Sequence, residues 1–249
     1  LNTMKLILLR HGESQWNLEN RFTGWKDVSL TETGIAEANF SGNQLLKNNL
    51  KVSSVYTSLL NRATETTDIV AEIINFPKEN IQYDWRLNER HYGALQGLNK
   101  SETAAKYGED QVHIWRRSYD IPPPLLLEND KRHPKLNKKF KNIQSSLPVG
   151  ESLKNVIDRL KPFWKEYVNN IIQNGGNHLV IAHSNSLRAI VKILDQLSDK
   201  KIISVNIPTG VPLVYTLDQD LVVISKEYLI SEKELKAKKE IVINQGKAK

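Results

Sequence analysis

Four consecutive aliphatic residues at positions 6–9 lead directly into Arg10, His11 and Gly12. A strand in which every residue is apolar is buried on both faces, and this is typical of the central sheet of an α/β protein. Such strands carry functional groups at their carboxyl ends. One ring nitrogen of His11 can act as a nucleophile while the other is held as a donor, and the planar fork of Arg10 can bind phosphate oxygens. The segment therefore predicts either phosphoryl transfer to His11 or, more simply, a strand end followed by a glycine turn.

Three further extended segments lead to polar side chains in the same way: residues 54–58 to Arg62, residues 81–85 to Glu89, and residues 178–182 to His183. Helical patterns follow the first of these segments, over residues 64–74, and the last, through Leu187 and Leu194. We expect four strand ends to bring together two histidines, two arginines and a glutamate.

Seven short motifs extend this pattern over nearly the whole chain: residues 10–14 (RHGES), 19–25 (ENRFTGW), 58–63 (SLLNRA), 89–93 (ERHYG), 97–100 (GLNK), 116–120 (RRSYD) and 206–212 (NIPTGVP). Through the first and third motifs, with His183, the chain resembles the histidine phosphatase superfamily. The other motifs are narrower and resemble its branch of cofactor-dependent phosphoglycerate mutases.

The resemblance implies an α/β fold with three layers, a mostly parallel central sheet with helices on both faces, an antiparallel edge strand and an insertion that acts as a lid. We expect one domain over residues 1–249. Residues 120–150 begin with three prolines and have no sustained period, so they are the predicted lid. An apolar stripe predicts a helix from residue 153 despite Pro162, and residues 213–217 and 221–224 predict a hairpin.

The resemblance also implies a role for each site residue. His11 accepts the phosphoryl group, Arg10, Arg62 and His183 stabilise its charge, and Glu89 moves the proton of the substrate hydroxyl. The residues implied in substrate binding are Arg10, Asn17, Thr23, Gly24, Arg62, Glu89, Tyr92, Lys100, Arg116, Arg117 and Asn185. The cofactor implied is 2,3-bisphosphoglycerate, which primes the phosphohistidine, and no metal is expected.

The expected activity is the interconversion of 3- and 2-phosphoglycerate in glycolysis and gluconeogenesis. A bisphosphoglycerate synthase or a histidine phosphatase is the alternative, and a non-catalytic phospholigand-binding protein is a minor one. Ser14 and Gly24 favour the mutase, because the synthase branch typically has glycine at the first position and serine at the second. Two features depart from the mutase pattern: Ser184 stands where mutases carry glycine, and residues 125–147 form a shorter segment.

Residues 231–249 are the predicted C-terminal tail, which closes the site in this family, and Lys247 and Lys249 could attract an anionic intermediate.

The amino-acid composition limits the classes of molecule that the chain is expected to bind. The formal charge of +7 is concentrated near residues 131–141 and 233–249, and neither run is interleaved with the aromatic side chains that a nucleic-acid platform needs. No apolar run approaches the ~18 residues that span a bilayer. The absence of cysteine excludes disulfides and thiolate metal sites. We therefore expect a cytoplasmic homodimer or homotetramer that binds small anionic substrates, and neither nucleic acid nor membrane.

Overall fold

The computed structural model of the chain describes residues 3–248. Within this range the β-strands are β1 (Met4–Arg10), β2 (Ser54–Thr57), β3 (Gln82–Tyr83), β4 (Asn177–Ala182), β5 (Leu213–Leu217) and β6 (Val223–Tyr228). The α-helices are α1 (Gln15–Leu18), α2 (Glu32–Lys47), α3 (Asn61–Ile73), α4 (Lys100–Tyr107), α5 (Glu109–Arg117), α6 (Leu153–Asn174), α7 (Ser184–Leu194) and α8 (Glu232–Asn244).

The strands form one mixed sheet in the order β3-β2-β4-β1-β5-β6. Neighbours from β3 to β1 are parallel, whereas β5 runs antiparallel to both β1 and β6. The α/β class with a mostly parallel sheet is thus confirmed. Strand β5 runs opposite to β1, and the edge strand β6, which is antiparallel to β5, runs in the same direction as β1.

The side chains of β1 alternate between two helical layers. Leu6 and Leu8 pack with residues of α6 and α7, whereas Ile7 and Leu9 pack with residues of α2 and α3. Each of the four is at most 1% exposed, so the strand is buried on both faces, as its unbroken apolar run predicts. The sheet is therefore the middle of three layers.

The register of the central strands positions the two predicted histidines. Arg10, the last residue of β1, lies opposite Ala182, the last residue of β4. His11 and His183 are the next residues of the chain, and the His11 N–H donates to the Ala182 carbonyl at 3.1 Å. Both histidines therefore leave the sheet side by side at one edge.

Some strands and helices begin or end at other residues than the sequence pattern predicts, because a side chain or a positive φ forms a turn there. The third predicted strand is reduced to two residues because the Asp84 side chain accepts from the Arg86 N–H at 2.9 Å and begins a 3-10 turn. In the hairpin, Leu221 has a φ of 62° and belongs to the turn, so β6 begins at Val223.

Helix α3 begins three residues before the predicted start, which places Arg62 in its first turn. Helix α6 continues through Pro162, as expected.

The segment at residues 120–150 has no α-helix or β-strand and contains two short 3-10 turns. The Leu126 N–H donates to the Val149 carbonyl at 2.9 Å and joins the two ends of the segment. Phe140 packs on Trp25 with a centroid distance of 4.8 Å. The segment is thus anchored to the body of the protein by apolar contact. Across residues 3–248, no helix has the length and apolar character of a membrane span.

Candidate active site

His11 has the tautomer of a nucleophile. It is buried, and its Nδ1 lies 2.6 Å from the carbonyl oxygen of Gly12. A carbonyl only accepts, so Nδ1 carries the proton and the lone pair is on Nε2. Burial lowers the pKa of His11 well below its usual value, and the charges of Arg62 and Arg10 lower it further. The ring is therefore neutral at physiological pH, which is the form that attacks phosphorus.

His183 faces His11 across the edge of the sheet. The two ring centroids are 5.0 Å apart, and His183 Nε2 lies 2.7 Å from the Ser58 hydroxyl oxygen. Its buried Nδ1 has no hydrogen-bond partner among the described residues. Burial, followed by the charges of Arg62 and His11, lowers the pKa of His183 well below its usual range. An unpartnered ring nitrogen beside His11 suits contact with a transferring phosphoryl group.

Two buried arginines flank the histidines, and backbone carbonyls hold both of them. Arg10 donates to the Ile207 carbonyl at 2.8 Å. Arg62 donates to the carbonyls of Gly24 at 2.7 Å and Lys26 at 2.9 Å. Burial lowers the pKa of Arg62 to about 10, so the side chain stays charged at neutral pH. Carbonyls fix these guanidinium groups without neutralising them, which leaves their charge for an anion.

Glu89 is the carboxylate at the centre of this positive site. It is buried, and its Oε1 accepts from the N–H groups of Arg90 at 2.7 Å and Asn185 at 3.1 Å. Asn185 also donates through its side chain to the Tyr92 hydroxyl at 3.3 Å. The carboxylate is thus held by backbone donors in a defined orientation.

A second group of cations forms a cationic wall of the same cavity. Lys100, Arg116 and Arg117 are all less than 9% exposed. Burial is the largest cause that lowers the pKa of Lys100 and Arg117 well below the usual values, and neighbouring arginines lower both further. These groups are desolvated, and none of them forms an ion pair with a carboxylate of residues 3–248. Such an arrangement is typical of a site that binds a multiply charged anion.

The structure brings the sequence-predicted site residues around a single cavity. Its lining residues are Arg10, His11, Asn17, Thr23, Gly24, Arg62, Glu89, Tyr92, Lys100, Arg116, Arg117, Ser184, Asn185, Val242 and Gln245. His183 lies beneath this surface, against His11.

A family comparison covers most of the chain: the model of the histidine phosphatase superfamily (branch 1) matches residues 6–225. The chain belongs to the histidine phosphatase superfamily. Within this superfamily it is 51% identical over 247 residues to a 2,3-bisphosphoglycerate-dependent phosphoglycerate mutase of Treponema denticola, a match that covers 99% of this chain and 100% of the relative.

Solved structures of the superfamily share the fold. A mycobacterial glucosyl-3-phosphoglycerate phosphatase superposes with a TM-score of 0.70 at 22% identity, covering 92% of this chain and 98% of its own. The alpha-ribazole phosphatase of Shigella flexneri superposes with a TM-score of 0.66 at 20% identity, covering 92% and 96%. At such identities the likeness concerns the fold alone.

Three lining residues of this superfamily member were not predicted as ligands. Ser184 is the first residue of α7 and has a helical backbone, so a side chain at this position causes no strain. Val242 and Gln245 come from the C-terminal tail. The apolar positions of the last helix were the available signal, but where that helix packs depends on contacts with Arg116 and Lys100, which are 126 and 145 positions away from their partners.

The tail of the phosphatase-type fold packs against the cationic wall. Arg116 donates to the Val242 carbonyl at 3.2 Å, and Lys100 donates to Gln245 Oε1 at 3.2 Å. Asn20 donates to the Gln245 carbonyl at 3.0 Å. The last turn of α8 and the residues after it are therefore placed over the site, while the predicted attraction by Lys249 lies outside the described residues.

The described part of the superfamily member contains no group of three His, Asp or Glu side chains that could hold a metal ion. The positive charge of the cavity lining comes from its arginines and from Lys100.

Proposed function

We propose that this enzyme is a 2,3-bisphosphoglycerate-dependent, metal-independent phosphoglycerate mutase that interconverts 3-phosphoglycerate and 2-phosphoglycerate in glycolysis and gluconeogenesis. The observation that carries the proposal is the neutral His11 ring, with Nδ1 held by the Gly12 carbonyl, at the base of a buried cationic cavity. The identity of 51% over the full length of a mutase supports the reaction class.

In the proposed mechanism, His11 Nε2 attacks the phosphorus of a phosphorylated donor and later passes the phosphoryl group to the acceptor hydroxyl. Phosphoryl transfer depends mainly on alignment and on charge stabilisation at the equatorial oxygens. Arg10, Arg62 and His183 surround His11 and suit that role. The two arginine charges balance a phosphate charge of roughly −1.5 to −2, and the neutral His183 ring can add a hydrogen bond.

Glu89 is the proposed proton shuttle of the reaction. It donates a proton to the substrate oxygen that leaves phosphorus and takes one from the hydroxyl that attacks. The backbone N–H groups of Arg90 and Asn185 hold Oε1 and orient the carboxylate within the cavity.

The remaining lining residues are the proposed ligands of the glycerate. Lys100, Arg116 and Arg117 provide the positive wall for a carboxylate or a second phosphate. Asn17 is held near the site by Ser14, whose hydroxyl accepts from the Asn17 N–H at 3.2 Å. Gly24 has a φ of 55°, and its carbonyl holds Arg62. The predicted mutase residues Ser14 and Gly24 thus support the site through their neighbours.

The proposed cofactor is 2,3-bisphosphoglycerate, which supplies the phosphoryl group that primes His11. Five cations line the cavity, and the buried Nε of Arg10 has no hydrogen-bond partner among residues 3–248. A ligand with two phosphate groups would balance this concentration of positive charge.

The wider organisation is part of the proposal. Residues 1–249 act as one domain, residues 120–150 and the tail at 231–249 restrict access to the site, and the chain forms a homodimer or homotetramer. The proposed location is the cytoplasm, the compartment in which glycolysis takes place.

The deciding experiment is the intact mass of the protein after incubation with 2,3-bisphosphoglycerate, followed by peptide mapping. One added phosphoryl group on His11, acid-labile and alkali-stable, is expected, together with conversion of 3- to 2-phosphoglycerate. His11→Ala should lose both. Phosphate mapped to His183, His91 or a serine would contradict the assignment of the nucleophile.

A further inference from the structure

Glu37, on α2, is a buried carboxylate that the proposed reaction does not use. Its Oε1 accepts from the Glu13 N–H, and its Oε2 accepts from the Thr209 hydroxyl and the Lys238 ammonium group, each at 2.8 Å. These donors belong to the loop after His11, the loop before β5, and α8. One carboxylate therefore joins three segments that are distant in sequence.

Helix α2 also supports the His11 loop by direct backbone contact. A Cβ on Gly12 would lie 2.2 Å from the Gly34 carbonyl oxygen, and a Cβ on Gly34 would lie 2.0 Å from the Glu13 carbonyl oxygen. Both positions therefore require glycine, because no larger residue permits so close an approach. Glu37 is one turn further along the same face of α2. The loop that carries the nucleophile thus rests on this helix at two points.

The second connection leads to Arg10. The Gly210 N–H donates to the Arg10 carbonyl at 3.0 Å, and the Ser41 hydroxyl donates to the Gly210 carbonyl at 2.7 Å. Burial lowers the pKa of Arg10, and the charges of Glu89 and Glu37 oppose that effect. The contacts of α2 with the 209–210 loop therefore act on both the backbone and the charge of Arg10.

The third connection leads to the tail. Lys238 is in the middle of α8, and one turn later the Val242 carbonyl accepts from Arg116 at the site. The Lys238–Glu37 ion pair is half-buried on the lysine side and buried on the glutamate side. Such a pair is screened less than a surface pair and has a defined geometry. It holds α8 on the same helix that holds the His11 loop.

We propose that Glu37 is a positioning residue that couples the docking of α8 to the geometry of the His11 loop. This inference rests on the proposed function, since it concerns the protection of phosphorylated His11 from water between the two transfers. While Lys238 is bound to Glu37, the tail covers the site and Glu37 holds the Glu13 N–H. Loss of the ion pair weakens the docking of α8 and removes one of the three contacts that orient the carboxylate.

The test compares Lys238→Met with Lys236→Met, a matched change at an exposed position of the same helix. The readout is the ratio of phosphoryl groups lost to water to those transferred between 3- and 2-phosphoglycerate. We expect Lys238→Met to raise this ratio about five- to tenfold, the lower range of coupling between sites, with the extent of His11 phosphorylation unchanged. Equal ratios in the two variants would overturn the coupling.

A double-mutant cycle separates coupling from a structural loss. Glu37→Gln removes the charge but retains an acceptor for the Glu13 N–H, and Glu32→Gln, in the first turn of α2, is its control. If the two residues act through their ion pair, the double variant Glu37→Gln with Lys238→Met has the same ratio of hydrolysis to transfer as Glu37→Gln alone. If the two substitutions multiply each other's effects on this ratio, the inference is overturned.

A wild-type enzyme that forms phosphorylated His11 but transfers nothing to phosphoglycerate would contradict the proposed function. The coupling would then be measured from the rate of phosphohistidine hydrolysis.

Discussion

The buried residues of the site are held in the protonation states that phosphoryl transfer requires. Desolvation lowers the pKa of His11 and of His183 and keeps both rings neutral. The pKa of Arg62, lowered to about 10, is still far enough above neutrality to keep its charge. Neutral imidazole rings therefore coexist with charged arginines in the same buried volume.

The histidines make the stability of the protein dependent on pH. The pKa of His11 and His183 is lowered in the folded state, and burial lowers that of His91 to about 3. The unfolded chain therefore binds more protons below its histidine pKa of about 6.5, so stability is full above that pH and declines as the pH falls. We expect the free energy of unfolding to fall by about 1.4 kcal/mol per histidine per pH unit in that range.

Urea unfolding at about pH 7.5 and about pH 5.5 measures this dependence. His183→Asn should show a smaller loss between the two, whereas Gln173→Asn, a change of an exposed amide that does not titrate, should behave like the wild type. An identical pH dependence in both variants would contradict the prediction.

Glu89→Gln keeps the size and an acceptor oxygen of the side chain but cannot exchange a proton. Turnover should fall about 10²-fold or more, the usual scale of general acid–base catalysis, with little change in the KM for 3-phosphoglycerate. Steady-state kinetics measures both constants, and the exposed Glu79→Gln is the control. Near-normal turnover at neutral pH would assign the shuttle elsewhere, with His91 and Tyr92 the next residues to test.

The charge that a divalent cation supplies in many phosphotransfer enzymes comes here from Arg10 and Arg62. Turnover should therefore survive an excess of chelator. The assay is 3-phosphoglycerate conversion before and after chelation, with re-addition of Mg²⁺ or Mn²⁺. A large loss that either ion restores would make the proposed mechanism wrong.

At the scale of elements, α5 and α8 close the site together although more than 100 residues separate them. Arg116 is in the last turn of α5, and the Val242 carbonyl that it binds is near the end of α8. A Cβ on Gly246 would lie 2.3 Å from Arg116 Nη1, so the chain passes close over this guanidinium. None of the described cavity-lining residues comes from the 120–150 segment.

Deletion of residues 245–249 removes the Gln245 contacts with Lys100 and Asn20. We expect lower mutase turnover and a larger fraction of phosphoryl groups lost to water, because water then reaches the site between transfers. His11 phosphorylation should remain intact. Phosphate release measured beside 2-phosphoglycerate formation separates the two outcomes. Full activity without added hydrolysis would assign closure to the 120–150 segment.

At the scale of the molecule, the cavity concentrates positive charge, and this charge lowers the stability of the fold when no ligand is bound. Five buried cations line the cavity with Glu89 as its only carboxylate among the described residues: Arg10, Arg62, Lys100, Arg116 and Arg117. Burying such charge costs stability unless an anion is bound. Part of the cost of the site is therefore recovered when substrate binds.

Arg117→Gln should separate stability from function. Burial and the neighbouring Arg188 and Arg116 lower the pKa of Arg117, so removal of its charge should raise the Tm of the unliganded protein. The KM for 3-phosphoglycerate should rise, and the gain in Tm on adding ligand should shrink. Thermal unfolding with and without 3-phosphoglycerate measures both effects. A lower unliganded Tm together with an unchanged KM would contradict the prediction.

The sequence by itself determined the class of the fold and the chemical character of the site. The unbroken apolar run at residues 6–9 is readable as a doubly buried strand, and the polar residues that follow such strands must meet at one edge of a parallel sheet. Local signals also located α3, α6 and α7. They made the third strand too long and began the last strand too early, because the Asp84 side chain and the positive φ of Leu221 decide those boundaries.

Only the tertiary structure decided which remote segments complete the site. The position of Gln245 over Lys100 and the junction at Glu37 depend on contacts between residues that are far apart in the chain. No local pattern encodes these contacts, because an amphipathic helix such as α8 specifies that one face is buried but not the surface that buries it. Burial also sets the pKa values of the histidines, and desolvation is a property of the assembled fold.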